Sequence, residues 1–307
     1  MRDDGGAPIV VVGSHVPGLF LRVEAVPREG ETVLAHSYRE PEDGGKASNQ
    51  AVAAAKLGAP VRLVTLVGDD ERGRRWRDIF FGYGIDTTYV LEAAGPTDVG
   101  FVMLPPSKIP AIASSIEQSR ALDGDFVASV APAVADASVV VCQLEAPQSC
   151  AVASFRIARE VGATTILNPA PAADLDPELV ALTDVLVPNE LEAAALAGST
   201  APPSELARIL HERYRCAVIV TAGPAGCVVA DQAGCIDLPA AVVEVADTTG
   251  AGDAFVGALA VRLRAGDEVA SAAAFALTVA SFSVGRSGTM PSFPSGDDLL
   301  PSTLAPA

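Results

Sequence analysis

The chain has 307 residues, of which 50% are hydrophobic, and its formal net charge is −17. This acidic balance argues against nucleic acid and anionic membrane surfaces as partners, because both are bound through basic faces. No apolar run reaches the 18 residues of a membrane-spanning helix, and the N-terminal sequence lacks the basic and apolar regions of a signal peptide. We therefore expect a cytoplasmic protein with neither a membrane nor a nucleic-acid partner.

Apolar, β-branched segments alternate with helical patterns along the chain. Predicted strands cover residues 9–12, 61–67, 139–142, 165–167, 185–187, 217–221 and 227–230. Predicted helices cover residues 48–57, 150–161, 190–197, 203–214, 254–264 and 268–283. Strands that are apolar throughout and alternate with helices predict an α/β fold, whose mostly parallel sheet is buried on both faces. Ligands of such sheets bind beyond the carboxyl ends of the strands.

Two segments break this alternation. Residues 20–38 and 99–113 look extended and are flanked by Gly and Pro. They predict a small β-sheet that covers the site as a lid, and ordinary surface hairpins are the alternative. We predict one domain over residues 1–307, with lid segments at about 16–40 and 98–115 inserted into the α/β core.

A glycine turn follows the first of these segments. The run 43–58 begins Asp-Gly-Gly-Lys and continues as an Ala-rich helical pattern. Two glycines permit a tight turn, and Lys46 supplies a mobile positive charge. Ser48 or Asn49 can bond a polar ligand or cap the helix. By itself, the pattern indicates only a turn before a helix.

The run 247–253, Asp-Thr-Thr-Gly-Ala-Gly-Asp, is the most informative stretch of the chain. It predicts a glycine turn entering a helix, whose free N-terminal amides and dipole favour an oxyanion. Gly250 and Gly252 allow a ligand to approach the backbone closely, and Asp253 is a candidate general base. This combination suits the transfer of a phosphoryl group to a hydroxyl. An ordinary helix with Asp as its N-cap is the alternative, and the run alone leaves both open.

Together, the two runs resemble the signatures of the ribokinase-like (PfkB) carbohydrate kinase family. Gly-Gly-Lys-x-x-Asn-Gln at 44–50 and Asp-Thr-Thr-Gly-Ala-Gly-Asp at 247–253 stand about 200 residues apart, in the order of that family. Weaker matches lie at 27–32, 143–145, 167–172, 188–192 and 221–226. The resemblance covers about residues 8–294 and is closest to the ribokinase branch. It implies a three-layer α/β/α core with a small β-sheet lid, an ATP-dependent kinase of a small sugar-like polyol, and a homodimer formed through the lid.

The resemblance also implies roles for residues near the transferred phosphate. Asp253 would take the proton of the acceptor hydroxyl, and the amides of Gly250, Ala251 and Gly252 would hold the phosphate. The remaining implied roles concern the nucleotide and Mg²⁺. Asn189 and Glu192 match an Asn-x-x-Glu motif that orders Mg²⁺ and phosphate, although the same pair is a capping box. The loop expected to pass the nucleotide contains Thr221, Ala222, Gly223 and Gly226.

A monovalent cation, expected to be K⁺, often accompanies the anion site of this family. Asp247 and Thr249 stand at the corresponding positions of one loop. The second loop supplies Ser283, Arg286, Gly288 and Ser292. Solvated loops without a cation are the alternative.

The departures from the family pattern concern the substrate. Ribokinases typically read Gly-Ser-x-Asn-x-Asp after the first strand, and that Asn and Asp bind sugar hydroxyls. Here Val16 and Gly18 replace them, which removes two polar contacts and vacates space at Gly18 for a bulkier or less polar group. Residues 117–119 (Glu-Gln-Ser) likewise replace a Gly-Ala-Asn stretch. The retained substrate-binding candidates are Gly45, Lys46, Asn49, Glu145 and Asp253.

We therefore expect an active kinase that does not prefer ribose. Its acceptor would be another furanose or ketose, a cyclitol, or a nucleoside. A kinase fold retained as a non-catalytic ligand-binding module is the alternative. The intact Asp253, together with Asn189 and Glu192, favours the enzyme.

Overall fold

The predicted alternation of strands and helices is present in the computed structural model, which describes residues 6–107 and 111–299. The strands are β1 (Ile9–Val12), β2 (Gly18–Val23), β3 (Ala35–Arg39), β4 (Val61–Gly68), β5 (Val90–Ala93), β6 (Gly100–Leu104), β7 (Ala111–Ser114), β8 (Val139–Gln143), β9 (Thr164–Asn168), β10 (Val185–Leu186), β11 (Ala217–Thr221), β12 (Cys227–Asp231) and β13 (Gly234–Leu238). They form a sheet of nine strands and a sheet of four.

The nine-stranded sheet is the centre of the molecule. Its order is β13-β12-β11-β10-β9-β8-β1-β4-β5. All pairs from β11 to β5 are parallel, whereas β12 and β13 add an antiparallel edge. Parallel pairing brings the carboxyl ends of seven strands to one edge, which is where α/β folds bind ligands.

Helices cover both faces of this sheet. They are α1 (Lys46–Lys56), α2 (Glu71–Gly82), α3 (Glu117–Ala121), α4 (Gly124–Ser129), α5 (Gln148–Val161), α6 (Pro177–Ala181), α7 (Glu190–Ala197), α8 (Pro203–Tyr214), α9 (Ala251–Arg264) and α10 (Val269–Val284). Alternate residues of β1 enter different cores: Ile9 belongs to the core that includes residues of α1, α2, α9 and α10, whereas Val10 belongs to the core that includes residues of α4, α5, α7 and α8. The predicted three-layer α/β/α architecture is confirmed.

The smaller sheet has the order β3-β2-β6-β7. Strands β2 and β6 are parallel, and the two outer pairs are antiparallel. Both extended segments of the sequence therefore contribute a pair of strands, as predicted for a small β-sheet; residues 108–110 of the second segment lie outside the described residues.

Two helix boundaries differ from the sequence prediction in a way that affects the site. Helix α9 begins at Ala251 instead of residue 254, and α1 begins at Lys46 instead of residue 48. Both glycine turns are therefore shorter than predicted, and both motifs continue into the helix that follows them. Across residues 6–107 and 111–299, no helix combines the length and apolar character needed to cross a bilayer.

Candidate active site

The carboxylate of Asp253 lies in the first turn of α9. Gly250 is the N-cap residue, in the left-handed conformation with φ 76°, and no side chain caps this helix. Asp253 is the third helical residue, so the interpretation of this aspartate as the N-cap is wrong. Its side chain is 9% exposed and points to other elements.

Two consecutive side chains of α1 hold this carboxylate. Asn49 Nδ2 donates to Asp253 Oδ2 and Gln50 Nε2 donates to Asp253 Oδ1, each at 3.0 Å. Burial raises the pKa of Asp253, and the positive charge of Lys46 with the two amide donors offsets this only in part. The result is a fixed carboxylate that is more basic than an ordinary aspartate.

A chain of amide side chains extends this network into the sheet. Gln143 Nε2 donates to Gln50 Oε1 at 2.6 Å, and Gln50 Nε2 also lies 3.2 Å from Asn168 Oδ1. Asn168 in turn donates to the carbonyl of Val187 at 2.9 Å. Sequence reasoning did not assign Gln50, Gln143 or Asn168 to the site. The available signal was a polar residue at the carboxyl end of an apolar strand, because Gln143 ends β8 and Asn168 ends β9.

A pocket of about 240 Å³ opens beside Asp253. Its lining combines the carboxyl ends of strands with the starts of α1, α7 and α9: Lys46, Asn168, Ala170, Val187, Asn189, Glu192, Thr221, Gly250, Gly252, Asp253 and Val256. Burial alone would lower the pKa of Lys46, but the carboxylates of Asp253, Glu145 and Glu192 outweigh it and raise that pKa. The pocket therefore holds a firmly protonated lysine among carboxylates.

The two glycines at the start of α9 serve different purposes. A Cβ on Gly250 would lie 2.5 Å from Thr289 Cγ2, so glycine is required there by packing as well as by its φ. A Cβ on Gly252 would meet nothing within 4 Å, and Gly252 lines the pocket. The amide of Ala251 donates to Thr248 O at 3.3 Å. The Ala251 amide therefore already has a backbone partner, whereas open space faces Gly252 at a helix N-terminus, where first-turn amides lack helical partners and attract anions.

Asn189 and Glu192 form the capping box that their spacing predicts. Glu192 Oε2 accepts from the Asn189 amide, and Asn189 Oδ1 accepts from the Glu192 amide, both at 2.9 Å. Both residues also line the pocket. Burial raises the pKa of Glu192. The bridge between Asn189 and Thr221 aligns this helix start with the end of β11. Capping and pocket lining therefore coexist in one pair of side chains.

The turn after β11 is the predicted nucleotide loop. Thr221 lines the pocket, and the amide of Ala222 donates to Gly226 O at 2.8 Å across a turn that contains Gly223. A Cβ on Gly226 would lie 2.0 Å from Leu238 O. Backbone packing against β13 accounts for glycine at that position without any ligand.

The segment after β1 runs beside the glycine turn that precedes α1. The amide of Val16 donates to Gly44 O at 2.8 Å, and the amide of Gly18 donates to Asp43 O at 3.0 Å. A Cβ on Gly18 would lie 2.5 Å from Phe20 Cε2. The expectation of vacated space at Gly18 is therefore wrong, because the aromatic ring of Phe20 fills it.

Glu145 braces the start of α1. Its Oε2 accepts from Ser14 Oγ at 2.8 Å and from the Lys46 amide at 3.1 Å. Burial raises the pKa of Glu145, and Lys46 and Ser14 oppose that rise. Gly45 lies alongside, since a Cβ there would be 3.5 Å from Glu145 Oε2. The retained candidates Gly45, Lys46, Asn49 and Glu145 are thus brought together around one turn.

Residues 117–119, a departure from the family pattern that was expected to concern the substrate, form hydrogen bonds within the protein instead. Gln118 Nε2 donates to the carbonyls of Ala94 and Pro96, and the Ser119 amide and hydroxyl donate to Asp98. Gln118 and Ser119 are buried, and neither lines the pocket. Their departure from the family pattern therefore affects packing beside the small sheet.

The two predicted cation loops meet. Asp247 Oδ1 accepts from the amide and hydroxyl of Thr249, and its Oδ2 accepts from the Gly288 amide at 3.1 Å. Burial alone would raise the pKa of Asp247, but these hydrogen bonds outweigh it and lower that pKa. The other three side chains turn to their own backbone: the donors of Ser283, Arg286 and Ser292 bond the carbonyls of Ala280, Phe282 and Thr289. Any cation there would rely on backbone carbonyls.

Comparison with known proteins places the chain in a family. The model of the pfkB family carbohydrate kinases matches residues 7–296. The chain is 33% identical to mouse ribokinase (97% of this chain, 95% of that protein) and 32% identical to deoxyribokinase of Salmonella typhi (94% and 95%). It is also 33% identical to a bifunctional ribokinase/ribose-5-phosphate isomerase A of Fructilactobacillus sanfranciscensis, of which it spans about half the length (55%).

The fold agrees with these relatives. The structure of Arabidopsis thaliana ribokinase complexed with ribose and ATP superposes with a TM-score of 0.89 at 28% identity, covering 95% of this chain and 97% of that one. The chain belongs to the pfkB family of carbohydrate kinases. It is an ATP-dependent sugar kinase, which transfers a phosphoryl group to a hydroxyl of a small sugar or sugar-like alcohol.

Proposed function

We propose that phosphoryl transfer takes place at the start of α9, with Asp253 as the general base. The observation that carries this proposal is the position of its carboxylate: buried, held by Asn49 and Gln50, and facing a pocket that also contains Lys46. A carboxylate with a raised pKa is a better proton acceptor than an ordinary one, and its fixed orientation favours a single direction of approach.

In the proposed reaction, the acceptor hydroxyl gives its proton to the Asp253 carboxylate while its oxygen attacks the γ-phosphorus of ATP. The bond from that phosphorus to the β,γ-bridging oxygen breaks, and ADP leaves with the electron pair. The amides of Gly250, Ala251 and Gly252 would stabilise the charge on the transferring phosphoryl oxygens, as would Lys46, which lines the same pocket. Gly252 allows this approach because no atom would meet a Cβ there within 4 Å.

The nucleotide would lie between α7 and the turn after β11. Thr221, Ala222, Gly223 and Gly226 belong to that turn, and Thr221 lines the pocket. Asn189 and Glu192 offer amide and carboxylate oxygens beside it, the donor types that Mg²⁺ takes directly or through water. When bound, Mg²⁺ would neutralise phosphate charge. Dependence of ADP release on added Mg²⁺, weakened in Glu192→Gln, tests this assignment.

We further propose a monovalent cation, K⁺, between the loops that Asp247 joins. Two observations support it: the Asp247 carboxylate ties Gly288 to the first loop, and its pKa is lowered, so it stays ionised. The remaining ligands would be carbonyls of the segments that contain Thr249, Ser283, Arg286, Gly288 and Ser292. Replacement of K⁺ by Na⁺ is expected to lower kcat, and equal rates in both salts would contradict the site.

On the acceptor side, we propose a substrate other than ribose. Val16 offers no hydrogen-bonding side chain, and the ring of Phe20 covers Gly18 with its Cε2 2.5 Å from where a Cβ would be. Apolar surface in place of side chains that bind hydroxyls lowers the affinity for a substrate whose facing edge is fully hydroxylated. It favours a substrate whose edge is less polar. Among the expected acceptors, a deoxygenated or substituted furanose or a nucleoside fits this argument better than a ketose or a fully hydroxylated cyclitol. Gly45, Lys46, Asn49 and Glu145 would bind it in addition.

We also propose a homodimer formed through the small sheet. Strands β3 and β7 are its edges, and Tyr38, Phe101 and Ile112 are 56%, 44% and 63% exposed on it. Sheet edges and exposed apolar side chains favour association. Light scattering after size exclusion should give twice the chain mass. A monomer at micromolar concentration would contradict this interface.

We propose a cytoplasmic location, which cell fractionation tests.

The deciding experiment compares wild type with Asp253→Asn. ADP release is measured with Mg²⁺-ATP and K⁺ across D-ribose, 2-deoxy-D-ribose, other pentoses, hexoses, ketoses, cyclitols and nucleosides, and ATP binding is measured by calorimetry. We expect one non-ribose acceptor to give the highest rate, and Asp253→Asn to lower kcat by about 10²–10⁴-fold while ATP binding persists. Turnover that survives in Asp253→Asn would refute the base, and a ribose-only signal would refute the acceptor proposal.

A further inference from the structure

The side-chain amide of Asn49 joins two carboxylates. Its Nδ2 lies 3.0 Å from Asp253 Oδ2 and also 3.0 Å from Asp43 Oδ1, while its Oδ1 accepts from the Gly44 amide at 3.1 Å. Asn49 is 3% exposed. A primary amide has two N–H donors, so both are directed at carboxylates and the oxygen at a backbone N–H.

This arrangement fixes which way the amide points. A flipped Asn49 would place its oxygen against two carboxylates and its NH₂ against the N–H of Gly44, so three contacts would become repulsive together. Asp253 alone favours the observed orientation through one contact. Asp43 supplies the second anionic partner, so the NH₂ group of Asn49 stays directed at the carboxylates and continues to donate to Asp253.

The backbone also holds Asp43 in this position. Its carbonyl accepts from the Gly18 amide at 3.0 Å, which ties the residue to the segment after β1. Its carboxylate belongs to the turn that precedes α1 and accepts from the same Asn49 Nδ2 that donates to Asp253. Asp43 is half-buried, so its charge is screened less than that of a surface residue.

We propose that Asp43 is a positioning residue for Asp253: acting through Asn49, it orients the hydrogen bond to Asp253 Oδ2 and so leaves the carboxylate aimed at the acceptor hydroxyl. The mechanistic half of this proposal rests on the proposed role of Asp253 as the base. The structural half, that the two carboxylates are coupled through one amide, stands without it.

The same contact has an electrostatic consequence. Four charged groups face Asp253: Lys46 from α1, Asp43 from the turn before it, Glu145 from the segment after β8 and Glu192 from α7. The charge of Asp43 adds to the rise that burial causes in the pKa of Asp253, whereas Lys46 opposes that rise. Removing the charge at position 43 therefore lowers the pKa of Asp253.

A substrate-independent titration tests the coupling. The chain is labelled with [¹³C]aspartate, the carboxyl signal of Asp253 is assigned by its loss in Asp253→Asn, and its pKa is measured in wild type and Asp43→Asn. Glu42→Gln is the matched control, because it removes one negative charge from the adjacent residue, whose carboxylate contacts Tyr83 instead of Asn49. We expect a lower pKa of Asp253 in Asp43→Asn and an unchanged one in Glu42→Gln. An unchanged pKa in Asp43→Asn, or an equal shift in both variants, would overturn the proposal.

Kinetics with the best acceptor of the panel test the positioning role. Asp43→Ala leaves the Asn49 amide with one anionic partner. We expect kcat to fall about tenfold, which corresponds to the loss of one hydrogen bond to a charged group. KM for ATP should not change. Asp43→Asn should restore most of kcat, since its oxygen can still accept from Asn49, while the acidic limb of the profile of kcat/KM moves to lower pH. Thermal melts establish that each variant is folded.

The possible failures are distinguishable. A wild-type kcat in Asp43→Ala, with Asp253→Asn inactive, would overturn the positioning role alone. Turnover that survives in Asp253→Asn would refute the proposed base, and the titration would still report whether Asp43 and Asp253 are coupled.

Discussion

The proposed transfer region and the proposed acceptor region are built differently. On the transfer side, Asp253, Asn49 and Gln50 are joined by hydrogen bonds of 3.0 Å, and each group depends on the orientation of the next. On the proposed acceptor side, Val16 offers only an apolar side chain and the Phe20 ring fills the space over Gly18, although neither residue lines the pocket itself. Buried polar groups become costly when one partner is lost, whereas apolar contacts can be exchanged at modest cost. If the proposed roles hold, we expect the chemistry to be fixed by the first region and the selectivity to be changeable in the second.

The strongest way to break the transfer side is to add a methyl group at the start of α9. Gly252→Ala projects into open pocket space, so it should lower kcat by about 10²-fold by displacing phosphate from the amides. Its thermal stability should not fall, because alanine is favoured over glycine inside a helix. Steady-state kinetics and a melting curve check both parts.

Gly250→Ala is the matched variant, because it differs from Gly252→Ala only in position. It combines a left-handed φ of 76° with a Cβ 2.5 Å from Thr289 Cγ2, so the free energy of unfolding should fall by about 2–4 kcal/mol. Urea unfolding measures this. Equal stability of the two variants would show that the packing against Thr289 does not constrain the turn.

Glu145→Gln gives a smaller, pH-dependent effect. Burial raises the pKa of Glu145, so the ionised form is disfavoured in the folded state, and this costs stability as the pH rises above the ordinary value of the group. The glutamine oxygen can still accept from Ser14 Oγ and from the Lys46 amide. The variant should therefore melt above wild type near pH 8, and the difference should shrink as the pH falls towards 5. A difference in melting temperature that grows as the pH falls would contradict the raised pKa of Glu145.

The sequence predicted the core well and the contacts within the site poorly. Helices α7 and α8 and strands β1 and β11 have the predicted bounds, because the strands are short apolar runs and the helices begin at recognisable start signals, the Asn189 capping box and Pro203. Helix α2 was missed, since it buries only Gly73, Trp76 and Phe80 and carries four arginines; the Asp70 side chain that accepts from the Gly73 amide was its available signal.

Within the site, the motifs identified Asp253 and Asn49 as candidates but not the network around them. The contacts Gln143–Gln50 and Gln50–Asp253 join residues 93 and 203 positions apart, and no local pattern specifies such a register. The position of the Phe20 ring over Gly18 could not be predicted from the sequence either, because it depends on the side-chain orientation of Phe20 in β2. Side-chain identity predicts a role, whereas only the fold decides what occupies the neighbouring space.

The most direct test of this separation is the double variant Gly18→Asp/Phe20→Ala, assayed for kcat/KM with D-ribose and with the best acceptor of wild type. Phe20→Ala removes the ring that lies 2.5 Å from the Cβ position, so that the new carboxylate fits. We predict that preference shifts towards D-ribose by about tenfold or more, the weight of a regained hydroxyl contact, while kcat stays within about tenfold. An unchanged preference, or loss of turnover with every acceptor in a folded variant, would show that the two sides do not separate chemistry from selectivity.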